Sequence, residues 1–311
     1  MRQREGLGEK QWTGMTFGTG LMHRSLIAML RLLDVRLFYV FSYIFVVPPS
    51  MLFREGSGHM YRFFRKGFGY GPLRAWWMTF KNHCMFAQVV IDRFAMYAGR
   101  QFQMKVDGLE HYNRLCDQES GFVVLSSHVG NYEMAGYTQV SDLKSVNALV
   151  YFGEKASVME NRGKMLGPNG NKMILVRDDM SHLFEIDKAL THGEIVSIPA
   201  DRVWGSQKSI VLPFLGHEAR FPMGPFSVAT IRGLEVVGVN VMKTSTRGYL
   251  IHVTPLGYDK EAPRREQTRQ LAEAYVSMLE GMVRRYPTQW YNYFDFWIWQ
   301  TTNFPSLQRN N

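Results

Sequence analysis

Apolar and polar positions divide the chain into two unlike regions. From residue 101 onward, short apolar runs alternate with amphipathic stretches. The runs Phe122–Leu125, Ala148–Phe152, Met173–Val176, Ile195–Ile198, Ile210–Leu212, Val236–Val241 and Leu250–Thr254 predict strands. The stretches Tyr132–Gln139, Met180–Leu190, Phe226–Arg232 and Arg264–Arg285 predict helices. The last of these opens on Pro263 and sets Leu271, Tyr275, Met278 and Met282 along one face. Strands alternating with helices imply an α/β fold, with a mostly parallel central sheet covered by helices.

Upstream the pattern changes. Residues 1–20 are polar and Gly-rich and read as a disordered lead. An apolar stretch then runs from Leu26 to Val47 and ends at Pro48-Pro49, with Arg31, Asp34 and Arg36 interrupting its first half. The uncharged part, Leu37 to Val47, would cover about 17 Å as a helix, against a hydrocarbon core of about 30 Å. An interfacial or re-entrant amphipathic helix is therefore expected in preference to a full span. No small-residue cleavage site follows it, so it does not read as a secretory signal. The organisation expected is a lead over 1–20, a membrane-associating helical region over 21–100 and an α/β domain over 101–311.

Charge sharpens that picture. The 311 residues carry a formal charge of +9, and the excess is uneven. Between Met51 and Met85, Arg54, Arg62, Arg65, Lys66, Arg74 and Lys81 face one acid, Glu55. Tyr61, Phe63, Phe64, Phe68, Trp76, Trp77 and Phe80 lie among them. Such a mixture fits an anionic membrane surface. Without an RNA-binding or helix-turn-helix signature, nucleic acid is not expected as a partner. Cys84 and Cys116 are the only cysteines, which argues against a disulfide scaffold and for a reducing compartment.

The candidate chemistry lies at the end of the first strong strand, in Ser126-Ser127-His128-Val129-Gly130-Asn131-Tyr132-Glu133. Ligands of open α/β sheets bind at the C-terminal strand edge. An imidazole there, with a carboxylate on its second nitrogen, is a general base near neutral pH. His128 and Glu133 are thus the expected catalytic pair. His182 also precedes an acid by five positions, Asp187, but both fall within one helix, where residues five apart do not meet. Gly153 to Lys172 is long and polar for a connection and reads as a disordered segment or a lid. No metal-ligand, P-loop, Gly-x-Ser-x-Gly or dinucleotide pattern is present.

Taken with later elements, the His128 segment resembles the lauroyl/myristoyl acyltransferases of lipid A biosynthesis, a His-x4-Glu family related to lysophospholipid acyltransferases. Pro199-Ala200-Asp201-Arg202-Val203 resembles its strand-end Asp loop, Val211-Leu212-Pro213-Phe214-Leu215-Gly216 its Val-Pro-Phe-Phe-Gly segment, and Tyr286-Pro287-Thr288-Gln289-Trp290 its Pro-x-Gln-Trp element. The likeness covers roughly residues 20 to 300. The chain departs from the usual Asp-Gln-Asp of the lipid A members at Asp201-Arg202-Val203. Its Ala219–Phe226 run is closer to a branch acylating other lipids or pigment-type acceptors.

The resemblance implies transfer of an acyl chain from an acyl carrier protein thioester to a hydroxyl of a lipid A precursor or similar anionic lipid. No resident cofactor or metal is required, the carrier thioester being a co-substrate. His128 would take the hydroxyl proton while Glu133 holds its tautomer. Gly130, Asn131, Arg177, Asp201 and Arg202 are candidates for stabilising the oxyanion or binding substrate. Lys155, Arg162, Lys164 and Lys172 form the expected docking patch for the acidic carrier. The expected location is the cytoplasmic face of the bacterial inner membrane, peripheral or with a single N-terminal anchor. The alternatives are acylation of an amino-acid lipid or polyene pigment precursor, or a non-catalytic membrane-binding protein of the same fold.

Overall fold

The computed structural model describes residues 19–53, 56–134, 144–151, 160–161, 163, 171–177, 179–203 and 208–297. Its N-terminal part is helical. α1 (Gly20–Leu32) starts at Thr19, whose hydroxyl accepts from the Met22 N–H, and stops at Leu33 in extended geometry. Asp34 then caps α2 (Val35–Phe41), its carboxylate accepting from the Arg36 N–H at 2.8 Å. The helix does not end at Pro48-Pro49. It runs through a π-helical turn, Ser42–Val46, into α3 (Val47–Phe53), where the prolines occupy the first turn. Prolines have no N–H to give, and the wider turn before them is where the ladder can change register.

α4 (Gly56–Arg62), a second π-helical turn (Phe63–Gly67) and the 26-residue α5 (Pro72–Tyr97) complete this part. Ile27, Leu30, Val35 and Tyr39 pack on Ile91, Phe94 and Ala95 of α5. The opposite face exposes Met29, Leu33, Leu37, Phe41, Ile44 and Phe45.

The sheet begins with β1 (Gln103–Asp107), followed by α6 (Leu109–Cys116) and β2 (Phe122–Ser126). Next come β3 (Val146–Tyr151), β4 (Lys172–Val176), α7 (His182–Thr191) and β5 (Ile195–Pro199). A separate hairpin of β6 (Ser209–Phe214) and β7 (His217–Pro222) leads to α8 (Gly224–Ile231). β8 (Val236–Lys243), β9 (Gly248–Pro255) and α9 (Arg264–Arg285) complete the domain. The seven-stranded sheet has the order β1-β9-β8-β2-β5-β3-β4. β2, β3, β4, β5 and β8 are parallel, and β1 and β9 run the other way. This is the α/β architecture expected. β1 and β7 were not predicted. Of the helix expected over Tyr132–Gln139, only the start at Glu133 and Met134 falls within the described residues.

β2 sits centrally and every residue in it is buried, so its apolar run serves two layers. Val123 and Leu125 join Val196 and Ile198 under Phe226 of α8 and Leu271, Tyr275 and Leu279 of α9. Phe122 and Val124 point the other way, to Ile195, Val237 and the α6 residues Tyr112 and Leu115. The C-terminal ends of five strands therefore open on one edge, and His128 follows the central one.

Candidate active site

β2 and β5 pair with Ser126 opposite Pro199. Two residues beyond that pair lie His128 on one strand and Asp201 on the other, so the register alone brings them together. Asp201 Oδ1 is 2.8 Å from His128 Nδ1, and its Oδ2 accepts the His128 backbone N–H at 3.0 Å. Asp201 is fully buried, while the imidazole keeps 22% of its side-chain surface exposed. Tyr132 packs edge-on against the ring, with centroids 5.2 Å apart. Among the described residues no hydrogen bond is made at His128 Nε2.

The electrostatics follow from this packing. Burial lowers the imidazole pKa below 6.5, and the nearby Arg202 guanidinium lowers it further, against the opposing pull of Asp201 and Glu133. Burial alone would raise the Asp201 carboxyl. The His128 interactions and Arg202 outweigh it and bring the group down to about 2. At neutral pH the pair is therefore an Asp201 carboxylate accepting from Nδ1–H, with a neutral imidazole whose lone pair is on Nε2.

Glu133 is not the carboxylate on His128. Its Oε1 pairs with Arg93 Nη1 of α5 at 3.0 Å, and both side chains are largely buried. The cause is the turn. Gly130 has φ of 72° and bridges to Val241 of β8, where a Cβ would drive into the Val241 carbonyl oxygen. The chain after it is thereby directed toward α5, and Asp201 already occupies Nδ1.

The expectation for Gly130 and Asn131 as N–H donors to an oxyanion is also corrected. Gly130 N–H donates to the Gln289 carbonyl and Asn131 N–H to the Val241 carbonyl, each at 2.7 Å. Both donors are committed to the fold.

Arg202 is brought to the site. It lies 4.0 Å from Asp201 Oδ2, and its Nη2 donates to the Tyr291 carbonyl at 2.7 Å. Arg177 is not. It follows β4, three strands and so about 14 Å from β2, and its backbone N–H donates to His182 Nδ1 at 3.2 Å. His182 is buried there. Lys172 opens β4 at the opposite edge of the sheet and pairs with Glu194 at 3.2 Å, so it does not belong to a patch beside His128. Lys155, Arg162 and Lys164 lie outside the described residues.

The element that sequence reasoning left without a role is Gln289-Trp290-Tyr291. Trp290 bridges Val129 in antiparallel fashion, and Gln289 and Tyr291 pair through their backbones with Gly130 and His128. The Gln289 side chain makes two 2.9 Å bonds to the Lys243 backbone, and Asn82 of α5 donates to the Thr288 and Trp290 carbonyls. This short clamp fixes the height of the histidine turn.

Over residues 77–299 the sequence matches the family described as bacterial lipid A biosynthesis acyltransferase. The chain belongs to that family. No curated protein is similar enough in sequence to count as a relative. Among solved structures, the acyltransferase is similar to the crystal structure of the 1-acyl-sn-glycerophosphate (LPA) acyltransferase PlsC from Thermotoga maritima. The two share 12% identity over 86% of this chain and 99% of that one, with a TM-score of 0.37. In this acyltransferase Asp201 is the carboxylate on the His128 imidazole, with Glu133 five positions after the histidine. Among its described residues no group of three His, Cys, Asp or Glu side chains is arranged to hold a metal.

Proposed function

We propose that this acyltransferase uses His128 as general base to move a fatty acyl chain from a carrier-protein thioester to a lipid hydroxyl at the inner surface of the bacterial inner membrane. The observation that carries the reading is the Asp201–His128 hydrogen bond, with no described residue bonded to Nε2. As the acceptor oxygen attacks the thioester carbonyl, its proton passes to Nε2. Asp201 keeps the Nδ1–H tautomer and stabilises the imidazolium. The tetrahedral oxyanion faces the Arg202 cation. Collapse breaks the C–S bond, and the leaving thiolate takes the proton back from Nε2, giving an ester and a free thiol. Glu133 acts through its charge, raising the proton affinity of the imidazole.

The donor is an acidic acyl carrier protein, and the excess positive charge of the chain favours its encounter. Lys155, Arg162 and Lys164, which follow β3 in the sequence, are the docking residues in this reading. The acceptor is an anionic lipid, with a lipid A precursor the leading case. Association with the bilayer is supported by the exposed apolar face of α1–α3 and by Trp76 and Trp77, both about half exposed. Val35–Leu52 is long and apolar enough to cross a membrane. Because it packs along α5 through Tyr39 and Tyr43, a position lying on the membrane is favoured.

The test is purified full-length protein with a labelled carrier thioester and a bacterial lipid extract. The expected result is a labelled lipid whose acceptor can be identified, and loss of at least about 10²-fold in rate for His128→Ala. Unchanged transfer by that variant would overturn the mechanism, and no consumption of any thioester by the parent would overturn the donor assignment.

A further inference from the structure

Behind the His128 turn, four polar side chains meet in the interior. Asp92 of α5, fully buried, accepts hydrogen bonds from Tyr39 of α2, Tyr249 of β9 and the ammonium of Lys243 at the end of β8. Lys243, buried as well, also donates to the Tyr39 hydroxyl at 3.2 Å. From Tyr249 the chain of contacts reaches the catalytic turn, where Asn131 Nδ2 lies 3.4 Å from the hydroxyl. The next residue of α5 is Arg93, which holds Glu133 at 3.0 Å. Two adjacent residues of one helix thus hold the turn that carries His128, and Asp92 also holds the helix whose outer face is apolar.

Stability is a weak reason for such a network. Withdrawing an ion pair from water commonly costs as much as the attraction returns, and an apolar filling of similar volume is often at least as stable. Ile91, Phe94 and Ala95 already pack α5 against Val35 and Tyr39. What an apolar filling would lack is direction, because hydrogen bonds to a carboxylate fix the angle at which each partner arrives.

We propose that this network ties the docking of α2 to the geometry of the His128 turn, which makes Asp92 a positioning residue for acyl transfer. The inference rests on His128 being the base. It predicts that the N-terminal helices do more than attach the enzyme to lipid, since their seating sets the turn.

The experiment uses the full-length protein and two variants. One replaces the whole network by apolar groups of similar size: Tyr39→Phe, Asp92→Leu, Lys243→Met and Tyr249→Phe together. It should keep a thermal midpoint near that of the parent, while kcat falls by about tenfold or more and the donor KM changes little. The other, Tyr39→Phe, removes one hydroxyl. It should lower kcat by about threefold or more and shift the His128 ring signals in nitrogen NMR, although Tyr39 does not touch that ring. Parental kcat and parental His128 signals in Tyr39→Phe overturn the proposal, as does parental kcat in a folded fourfold variant. If the fourfold variant does not fold, Tyr39→Phe decides alone. If the parent transfers no acyl group, or His128→Ala transfers as well as the parent, the assignment of the base has failed. The NMR comparison still tests the tie, because it needs no turnover.

Discussion

At the scale of single residues, Asp201 takes the place on the imidazole that the sequence pattern assigns to Glu133. Asp201 touches the imidazole at Nδ1, whereas Glu133 acts on it only through space. Asp201→Asn should therefore lower kcat by about 10³-fold or more, since an amide at that position no longer enforces the Nδ1–H tautomer. Glu133→Gln should cost about tenfold or less, because Arg93 can still hold the amide oxygen and only the distant charge is lost. Steady-state rates with one donor would decide, and a larger loss for Glu133→Gln would reverse the assignment. The pH profile is a separate test. The base must be neutral to work, and burial and Arg202 lower its pKa in the folded enzyme. Activity should hold at neutral pH and fall on acidification, with an apparent pKa below 6.5. An acid limb above that value would mean that the carboxylates outweigh burial.

At the scale of elements, what was legible depended on whether a residue's partner is local. β2, β5 and β8 were readable because strands buried on both faces are continuous apolar runs. β1 and β7 were not, because Gln103-Met104-Lys105-Val106-Asp107 is a sheet-edge strand with alternate positions in solvent, and His217-Glu218-Ala219-Arg220 opens the more polar strand of a hairpin. His128 was found from its place after β2. Its partner was not, since Asp201 becomes adjacent only when β2 pairs with β5 in one register. The reverse error concerned Glu133, where five positions of separation say nothing about direction once Gly130 turns left-handed. The Gln289 clamp was visible as a motif but had no role until its backbone met the histidine turn. It makes its own prediction. Gln289→Ala would leave the buried Lys243 N–H and carbonyl without their side-chain partner, costing about 1–3 kcal/mol. A denaturant melt should show that loss, and turnover should fall with it because the same segment holds Gly130. Parental stability would mean that the clamp holds without its side chain.

At the scale of the whole molecule, the polarity of the surface describes how the enzyme should sit on lipid. α1–α3 turn one apolar face inward to α5 and a second outward, where Phe41, Ile44 and Phe45 are each more than half exposed. Such a face is expensive in water and ready for a bilayer. Basic residues are exposed in the second π-helical turn. Arg65 is exposed and gives one hydrogen bond to the Tyr70 carbonyl, and Lys66 is exposed beside it. Arg62 pairs with Asp295 at 3.1 Å. The two kinds of contact should separate on vesicles containing anionic lipid. Arg65→Gln with Lys66→Gln should weaken binding by about 1 kcal/mol per residue at low salt and by much less at high salt. Ile44→Ser with Phe45→Ser should weaken it at every salt concentration, because the lost contribution is apolar area. Neither pair should move the thermal midpoint much, since these side chains are exposed. Alkaline carbonate gives the deciding comparison. Helices that lie on the surface along α5 should be released from membranes by it, whereas retention of the full-length protein would mean that Val35–Leu52 leaves α5 and crosses the bilayer. The Tyr39–Asp92 hydrogen bond could not survive that crossing, so retention would also remove the tie between α2 and the His128 turn.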